Sequence, residues 1–476
     1  MSNPTYDLVV IGGGSAGLTA ATIAGKMGAK ILLVDKERLG GDCLYYGCVP
    51  SKALIKCARL AHDMRQAAKF GLQGADPKPD IRAVLQRVWS VVSAIEKQDS
   101  PEALAQFGIE TLFGGARFLD PKRILVGERE VQSRRFLIAV GSHAQAPAIE
   151  GLAAAGFIDH RSLFHLDVLP QRLVVIGGGP IGIEMGQALA RLGSHVTILE
   201  AAPEILAQAD QELAHHLKTI LDQELDIETN AQVVKVEVGE AGKRVHFERD
   251  GSSAFLDADE ILVAVGRKPN LEGLDLERCA VAISNRGIRV DSHMRTTAPN
   301  IWAAGDCTGG PQFTHLAEAQ ARVAARNALF KGNKKYSDQG LPWTIFSDPE
   351  LAQVGLTEQQ ASQRGLAFHV YKYPYAKLDR ALTEGRSEGM AKVVADKKGR
   401  ILGAGLLGPG AGESLSEFVS AMREGIRLGR MASTIHVYPT MNRIVRRLAD
   451  QPFMQRQHQG AMIRLFANFR AKRKDA

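Results

Sequence analysis

The chain has 476 residues, 45% hydrophobic and 23% charged, which is enough for about three domains with cores of their own and unlike a disordered or fibrous chain. Five cysteines are too few for a secreted disulfide scaffold, and no apolar run reaches the ~18 residues that span a bilayer. The formal net charge is +7, but the segment from Arg456 onward carries six Lys/Arg against one Asp, so the body is close to neutral and no nucleic-acid face is expected on it. Met1 to Asp7 has no basic stretch followed by an apolar run and a cleavage site. A secretory leader is therefore not expected, and a reducing cytoplasm suits the low cysteine count.

In chain order, Asp7 to Ile11 reads as a short buried parallel strand. The turn Gly12-Gly13-Gly14-Ser15-Ala16-Gly17 follows, then a helix over Leu18 to Met27, a strand over Lys30 to Val34, and Asp35 at its end. This is the order a dinucleotide cradle requires. Gly12 permits the turn, Gly14 lets backbone approach a pyrophosphate, and Gly17 allows close helix–strand packing. The helix N-terminus offers N–H groups to phosphate, and Asp35 can accept from a ribose.

Next comes Gly40-Gly41-Asp42-Cys43-Leu44-Tyr45-Tyr46-Gly47-Cys48-Val49-Pro50-Ser51-Lys52. Two cysteines this close can cycle between dithiol and disulfide. Pro50 at a helix start puts Cys48 near the positive end of the helix dipole, which favours a thiolate. The bland alternatives are a structural disulfide or half a zinc site, but no second Cys/His pair with zinc spacing follows.

The cradle pattern recurs. Leu173 to Ile176 reads as a strand, Gly177-Gly178-Gly179-Pro180-Ile181-Gly182 as the turn, 183 to 192 as a helix, and Val196 to Leu199 as a strand ending in Glu200. Gly177, Gly179 and Gly182 take the same three roles. Asp35 lies 23 residues after Gly12, and Glu200 lies 23 after Gly177. A carboxylate at Glu200, with no Arg or Lys over 201–207, suits the 2′-hydroxyl of NAD and repels the 2′-phosphate of NADP. Phe136 to Ser142 and Ile261 to Arg267 are apolar strands running into Gly141 and Gly266. Ile301 to Asp306 is another strand, ending in Gly-Asp.

These motifs, in this order, resemble the class I pyridine nucleotide-disulfide oxidoreductases, in the branch of dihydrolipoamide dehydrogenase and mercuric reductase. The resemblance covers nearly the whole chain and implies an α/β protein. Its expected parts are an FAD domain (1–147 and 273–340), an NAD(P) domain (148–272), both Rossmann-like, and an α+β interface domain (341–476). It implies FAD against Gly12, Gly14, Gly17, Asp35, Gly41, Gly141 and Asp306. It implies NAD(H), in preference to NADPH, against Gly177, Gly179, Gly182, Glu200 and Gly266. Cys48 takes the place of the thiolate against the flavin, and Cys43 that of the outer interchange thiol. Lys52 and Glu184 match a Lys–Glu pair near the reactive flavin nitrogen. Such proteins are homodimers whose active sites are completed by the other subunit, and electrons pass from NADH through FAD and the disulfide to a small or protein-bound acceptor.

Three features depart from the family pattern. Asp42 stands where relatives commonly have Thr, and a carboxylate there is expected to disfavour a Cys43 thiolate. Aligned on Pro439-Thr440, the catalytic His becomes Tyr438 and its orienting Glu becomes Arg443. A phenol is a poor base at neutral pH; His436, two residues earlier, is the other candidate. No Cys follows Cys307, so the C-terminal metal-delivering pair of mercuric reductases is missing. Three acceptors stay open: a disulfide/dithiol, a soft metal ion, and a quinone or oxygen reached without the cysteines. Cys57, Cys279 and Cys307 read as core residues, and no resident metal is expected. Met462, Ile463, Leu465, Phe466 and Phe469, with Lys and Arg interleaved, form a basic amphipathic helix candidate. It reads either as a packed helix or as a contact with an anionic membrane surface.

Overall fold

A computed structural model describes residues 6–240, 242–330 and 333–458. The basic tail over 462–474 lies outside the described residues. The chain forms two compact units, Met1–Leu199 with Gln232–Asp338, and Glu200–Ala231 with Gln339–Ala476.

The first unit opens with β1 (Leu8–Ile11), α1 (Ser15–Lys26) and β2 (Ile31–Asp35). Both strands are apolar on both faces, as a sheet covered on two sides requires. A short helix α2 (Gly41–Tyr45) and the longer α3 (Cys48–Gln66) and α4 (Ile81–Glu96) follow. With β3 (Ile109–Phe113), β4 (Phe136–Ile138) and a strand from the far end of the unit, they build a parallel sheet around β1. A short strand β5 (Ser142–Ala144) leads out of it. The second cradle consists of β6 (Arg172–Ile176), α5 (Pro180–Leu192), β7 (His195–Leu199) and β8 (Glu260–Val263), with β7 and β8 parallel to β6 on either side. From β8 the chain returns through β9 (Arg267–Pro269), antiparallel to β5. It then reaches β10 (Ile301–Ala303), which completes the first sheet in the order β10-β4-β1-β2-β3. The helix α6 (Thr314–Leu329) packs on α1 over a core of Leu8, Val10, Ala20, Ala24, Leu33, Ala321 and Ala324. Small residues on both helices let them approach closely.

The second unit is a five-stranded antiparallel sheet: β11 (Pro342–Ile345), β12 (Glu350–Gly355), β13 (Phe368–Pro374), β14 (Met390–Asp396) and β15 (Ile401–Gly408), ordered β11-β12-β15-β14-β13. Its covered face meets α7 (Ala411–Arg423) and α8 (Arg443–His458) over Val393, Leu406, Leu415, Phe418, Ile444 and Leu448. This matches the α/β architecture with an α+β C-terminal part expected from the sequence. No helix among the described residues is long and apolar enough to cross a membrane.

On β14 the Lys392 side chain is only 4% exposed, and its Nζ lies 3.0 Å from Asp210, 2.9 Å from Glu212 and 2.6 Å from Glu358. Burial works against the ammonium, but the three carboxylates outweigh it and hold the lysine firmly charged. Removing the cation leaves the buried Asp210 carboxylate without it. Lys392→Met is therefore expected to destabilise the protein by about 3–5 kcal/mol, measured by urea unfolding.

Candidate functional site

Both glycine turns are closed by backbone contact. A Cβ on Gly17 would sit 1.7 Å from the Gly12 carbonyl oxygen, and one on Gly182 would sit 1.9 Å from that of Gly177. Only glycine fits these positions, so each helix starts hard against its strand. No side chain caps α1 or α5. Where a Cβ would stand on Gly14 or Gly179 there is open space or only ordinary contact, so a phosphate can approach the backbone there. Asp35 ends β2 and braces the first turn: its Oδ2 accepts from Gly13 N at 2.7 Å, and its Oδ1 accepts from Glu37 N and Arg38 N. Gly141 and Gly266 follow β4 and β8 with positive φ, and Asp306 follows β10. Glu200 comes directly after β7, and its Oε1 accepts from Ala202 N at 2.8 Å. Two uncapped helix starts behind glycine turns fit two dinucleotides.

The redox segment lies over the first turn. A Cβ on Gly41 would be 2.6 Å from Gly14 Cα, so these two backbones touch. The short α2 carries Cys43, Gly47 turns the chain, and Cys48 is the first residue of the 19-residue α3. The segment is held from outside by stacked cations: the Arg38 guanidinium lies 3.5 Å from the centre of the Tyr45 ring, and Arg161 lies 4.9 Å from that of Tyr46. Tyr45 also donates to Glu96 at 2.6 Å, and Arg38 to the Tyr46 hydroxyl at 2.7 Å.

The two cysteines are free thiols, Cys43 half-buried and Cys48 exposed on one side. Thr314, the first residue of α6, touches both: its hydroxyl donates to Cys43 Sγ at 3.1 Å and lies 3.5 Å from Cys48 Sγ. Lys52 is one turn after Cys48 on α3, and its Nζ pairs with Glu184 of α5 at 2.8 Å. These groups divide the charge unequally. A hydrogen bond from Cys43 lowers the Cys48 thiol, and Thr314 and Lys52 add to this against the opposing burial, bringing it to about 6. The same bond, together with burial, pushes the Cys43 thiol far up.

Asp42 corrects the expectation that its charge weighs on Cys43. Its Oδ2 accepts from Arg267 Nη2 at 2.8 Å; its Oδ1 lies 3.0 Å from His160 Nε2 and 3.5 Å from Arg161. Burial raises the carboxyl, but the His160 hydrogen bond and the Arg267 charge outweigh it and hold it below the ordinary range. Arg267 in turn donates to Ser142 Oγ and to the Ser142 carbonyl, each at 2.9 Å, and Ser142 donates to Asp306 at 2.6 Å. Burial pushes the Asp306 carboxyl up. The sequence reading missed Thr314, His160 and Arg161, and took the strands carrying Ser142 and Arg267 as plain core strands.

In the second unit, Tyr438 is 61% exposed and carries the Arg443 guanidinium 4.9 Å from its ring centre. The His436 side chain is buried, with Nε2 3.0 Å from Glu417 and Nδ1 3.1 Å from the Thr434 carbonyl. Asn442 donates to the same Glu417 oxygen at 2.9 Å. Both ring nitrogens are thus already engaged. Among the described residues, no group of three or more His, Cys, Asp or Glu is set to hold a metal.

Residues 6–321 match the family described as pyridine nucleotide-disulphide oxidoreductase, and residues 341–449 match its dimerisation domain. The chain belongs to this family. It is 36% identical over 466 residues to dihydrolipoyl dehydrogenase of Thermus scotoductus, a match covering 95% of this chain and 99% of the relative. It is 33% identical over 442 residues to mercuric reductase of Bacillus cereus, covering 92% and 70%. The HOCl-induced flavoprotein disulfide reductase RclA from Escherichia coli shares the fold with a TM-score of 0.84 and 31% identity, over 94% of this chain and 99% of that one. A Cu(II) complex of RclA superposes equally well. The chain is accordingly a flavin-dependent oxidoreductase that works with FAD and a nicotinamide nucleotide.

In the reduced protein the Cys48 thiolate is present at neutral pH and is lost as pH falls through about 6. Ultraviolet thiolate absorbance, compared with Cys48→Ser, measures this. Lys52→Met is expected to move the midpoint upward, because the attraction goes while the Glu184 charge stays.

Proposed function

We propose that the chain is an NADH-dependent reductase that delivers an electron pair through the Cys43–Cys48 couple to an acceptor attacked by Cys43. The unequal charging of the two thiols carries this reading: Cys48 is favoured as the thiolate, while Cys43 keeps its proton and is released for exchange. Gly12, Gly14, Gly17, Gly41, Gly141, Asp35 and Asp306 would hold FAD; Gly177, Gly179, Gly182, Gly266 and Glu200 would hold NADH. FAD, when bound, converts the nicotinamide hydride into an electron pair usable by a disulfide. The protein's own part is orientation and charge. The Lys52 ammonium, fixed by Glu184, favours negative charge beside Cys48. Thr314 holds both sulfurs in reach of one another. A homodimer in a reducing cytoplasm completes the reading, supported by the dimerisation domain over 341–449.

The acceptor is one that does not depend on a His–Glu dyad. Tyr438 and Arg443 stand at the dyad's aligned positions, and a phenol stacked under a guanidinium is a weak proton acceptor near neutrality. A second reading, reduction of a thiophilic metal ion as substrate, draws support from the mercuric reductase relatives and from the Cu(II) complex of RclA.

Anaerobic titration of the FAD-loaded enzyme with NADH is expected to give long-wavelength absorbance that Cys48→Ser abolishes, with NADPH less effective. Bleaching of the flavin with no such band in the unmodified enzyme would remove the disulfide from the pathway. Turnover with NAD and dihydrolipoamide is expected well below the ~10 per second of a median enzyme. The pair Tyr438→His with Arg443→Glu should raise it by about 100-fold, the usual worth of a positioned general base, in a steady-state assay.

A further inference from the structure

We infer that Asp42, Arg267 and His160 form a charge-balanced clamp on the redox turn, and that the balance of this clamp sets how readily Cys43 ionises. Asp42 is a positioning residue here: it touches neither sulfur partner nor nucleotide but acts through the backbone of α2. Its carboxylate immediately precedes Cys43, and its own carbonyl accepts from Tyr46 N at 2.9 Å, closing the turn that carries the thiol. The clamp's far end is fixed. The Arg267 side chain, 13% exposed, is anchored twice on Ser142, and Ser142 on Asp306. The two strands that return from the two cradles, β5 and β9, thus grip the redox turn from one side through a single guanidinium.

His160 makes the clamp a three-way contact. Its Nε2 lies 3.0 Å from Asp42 and 2.9 Å from Arg267 Nη1. That nitrogen can donate to the carboxylate or accept from the guanidinium, never both at once. The Asp42–Arg267 pair is therefore the constant element. Cys43 itself is faced by Cys48 of α3 and by the Thr314 hydroxyl of α6, while Lys52 and Glu184 act on Cys48. None of these would change if the clamp were altered.

A charge-balanced pair next to a thiol has opposite effects when opposite halves are removed. Asp42→Asn leaves Arg267 and Arg161 uncompensated beside Cys43, which favours its thiolate. Arg267→Gln leaves the Asp42 carboxylate there, which disfavours it. A charge a few ångströms off at a half-buried site moves a titration by about one pH unit. A purely structural prop would behave otherwise, since loosening the turn from either side would move Cys43 in the same direction.

The test uses the FAD-loaded enzyme, reduced with excess dithiol that is then removed anaerobically. The pH dependence of iodoacetamide alkylation at Cys43 is read by peptide mass spectrometry. The inference expects the midpoint to fall by about one unit in Asp42→Asn, to rise by about one in Arg267→Gln, and to return near the original in the double variant. Asp42→Thr, the residue common at this place in relatives, is expected to follow Asp42→Asn and serves if the latter does not fold. Asp42→Glu should restore most of the shift. Equal-sign shifts in the two single variants, or no shift in folded protein, would overturn the clamp. The inference rests on Cys43 being the outward thiol. Alkylation needs no acceptor, so a wrong acceptor assignment would leave this result intact.

Discussion

The redox couple can lie over the nucleotide cradle only because two glycine backbones touch, Gly41 on Gly14. That contact fixes where α2 begins, and α2 is barely more than one turn long, so Cys43 has little freedom once Gly41 is in place. The rest follows along the chain. Gly47 turns it, Cys48 opens α3, and Lys52 falls one helical turn further on the same face. A side chain on either glycine would lift the thiols away from the turn that binds the pyrophosphate. The electron path is thus set by a steric constraint before any charge is considered.

Charge is then handled in pairs. Two carboxylates stand near the couple, Asp42 before Cys43 and Glu184 across from Lys52, and each has its own cation at 2.8 Å. Neither is a free acid pressing on the thiols. The asymmetry between the sulfurs comes instead from one hydrogen bond between them, from Thr314, and from the proximity of Lys52 to Cys48 alone. Pairing has a structural consequence as well. Each ion pair joins the redox segment to a different element, α5 through Glu184 and β9 through Arg267, so the charges that tune the thiols also hold them in position.

Much of this was legible in the sequence because it is local. A glycine turn, a helix and an acid within 23 residues, or two cysteines on one turn, are patterns whose geometry the backbone enforces. The Lys52–Glu184 pair spans 132 residues and came from resemblance rather than spacing. Thr314, 266 residues from Cys48, had neither signal. Asp42 shows the limit most clearly. Its charge was visible and its proximity to Cys43 was certain, but its effect depends on a guanidinium 225 residues away. A side chain's partners decide what its charge does, and they are set by the sheet order that returns β9 beside β5. Arg267 was in view in the sequence; only the fold shows which way it acts.

The two ends of the reaction are built under different demands. Taking up an electron pair needs a thiolate, and a helix start with a lysine supplies it without moving a proton. Passing the pair to a disulfide needs a proton acceptor for the outer thiol and later a donor for the leaving sulfur. The chain retains the full set of residues for the first task and has exchanged both residues of the second. Tyr438 is 61% exposed with Arg443 against its ring, while the nearest histidine, His436, is committed to Glu417 and a backbone carbonyl. With Cys43 strongly protonated in its resting surroundings, an acceptor must either bring its own base or bind thiolate strongly enough to displace the proton. Soft, thiophilic acceptors meet the second condition by their affinity for sulfur, and ordinary disulfides meet neither. The retained input side and altered output side therefore constrain the acceptor more tightly than overall similarity to either group of relatives does.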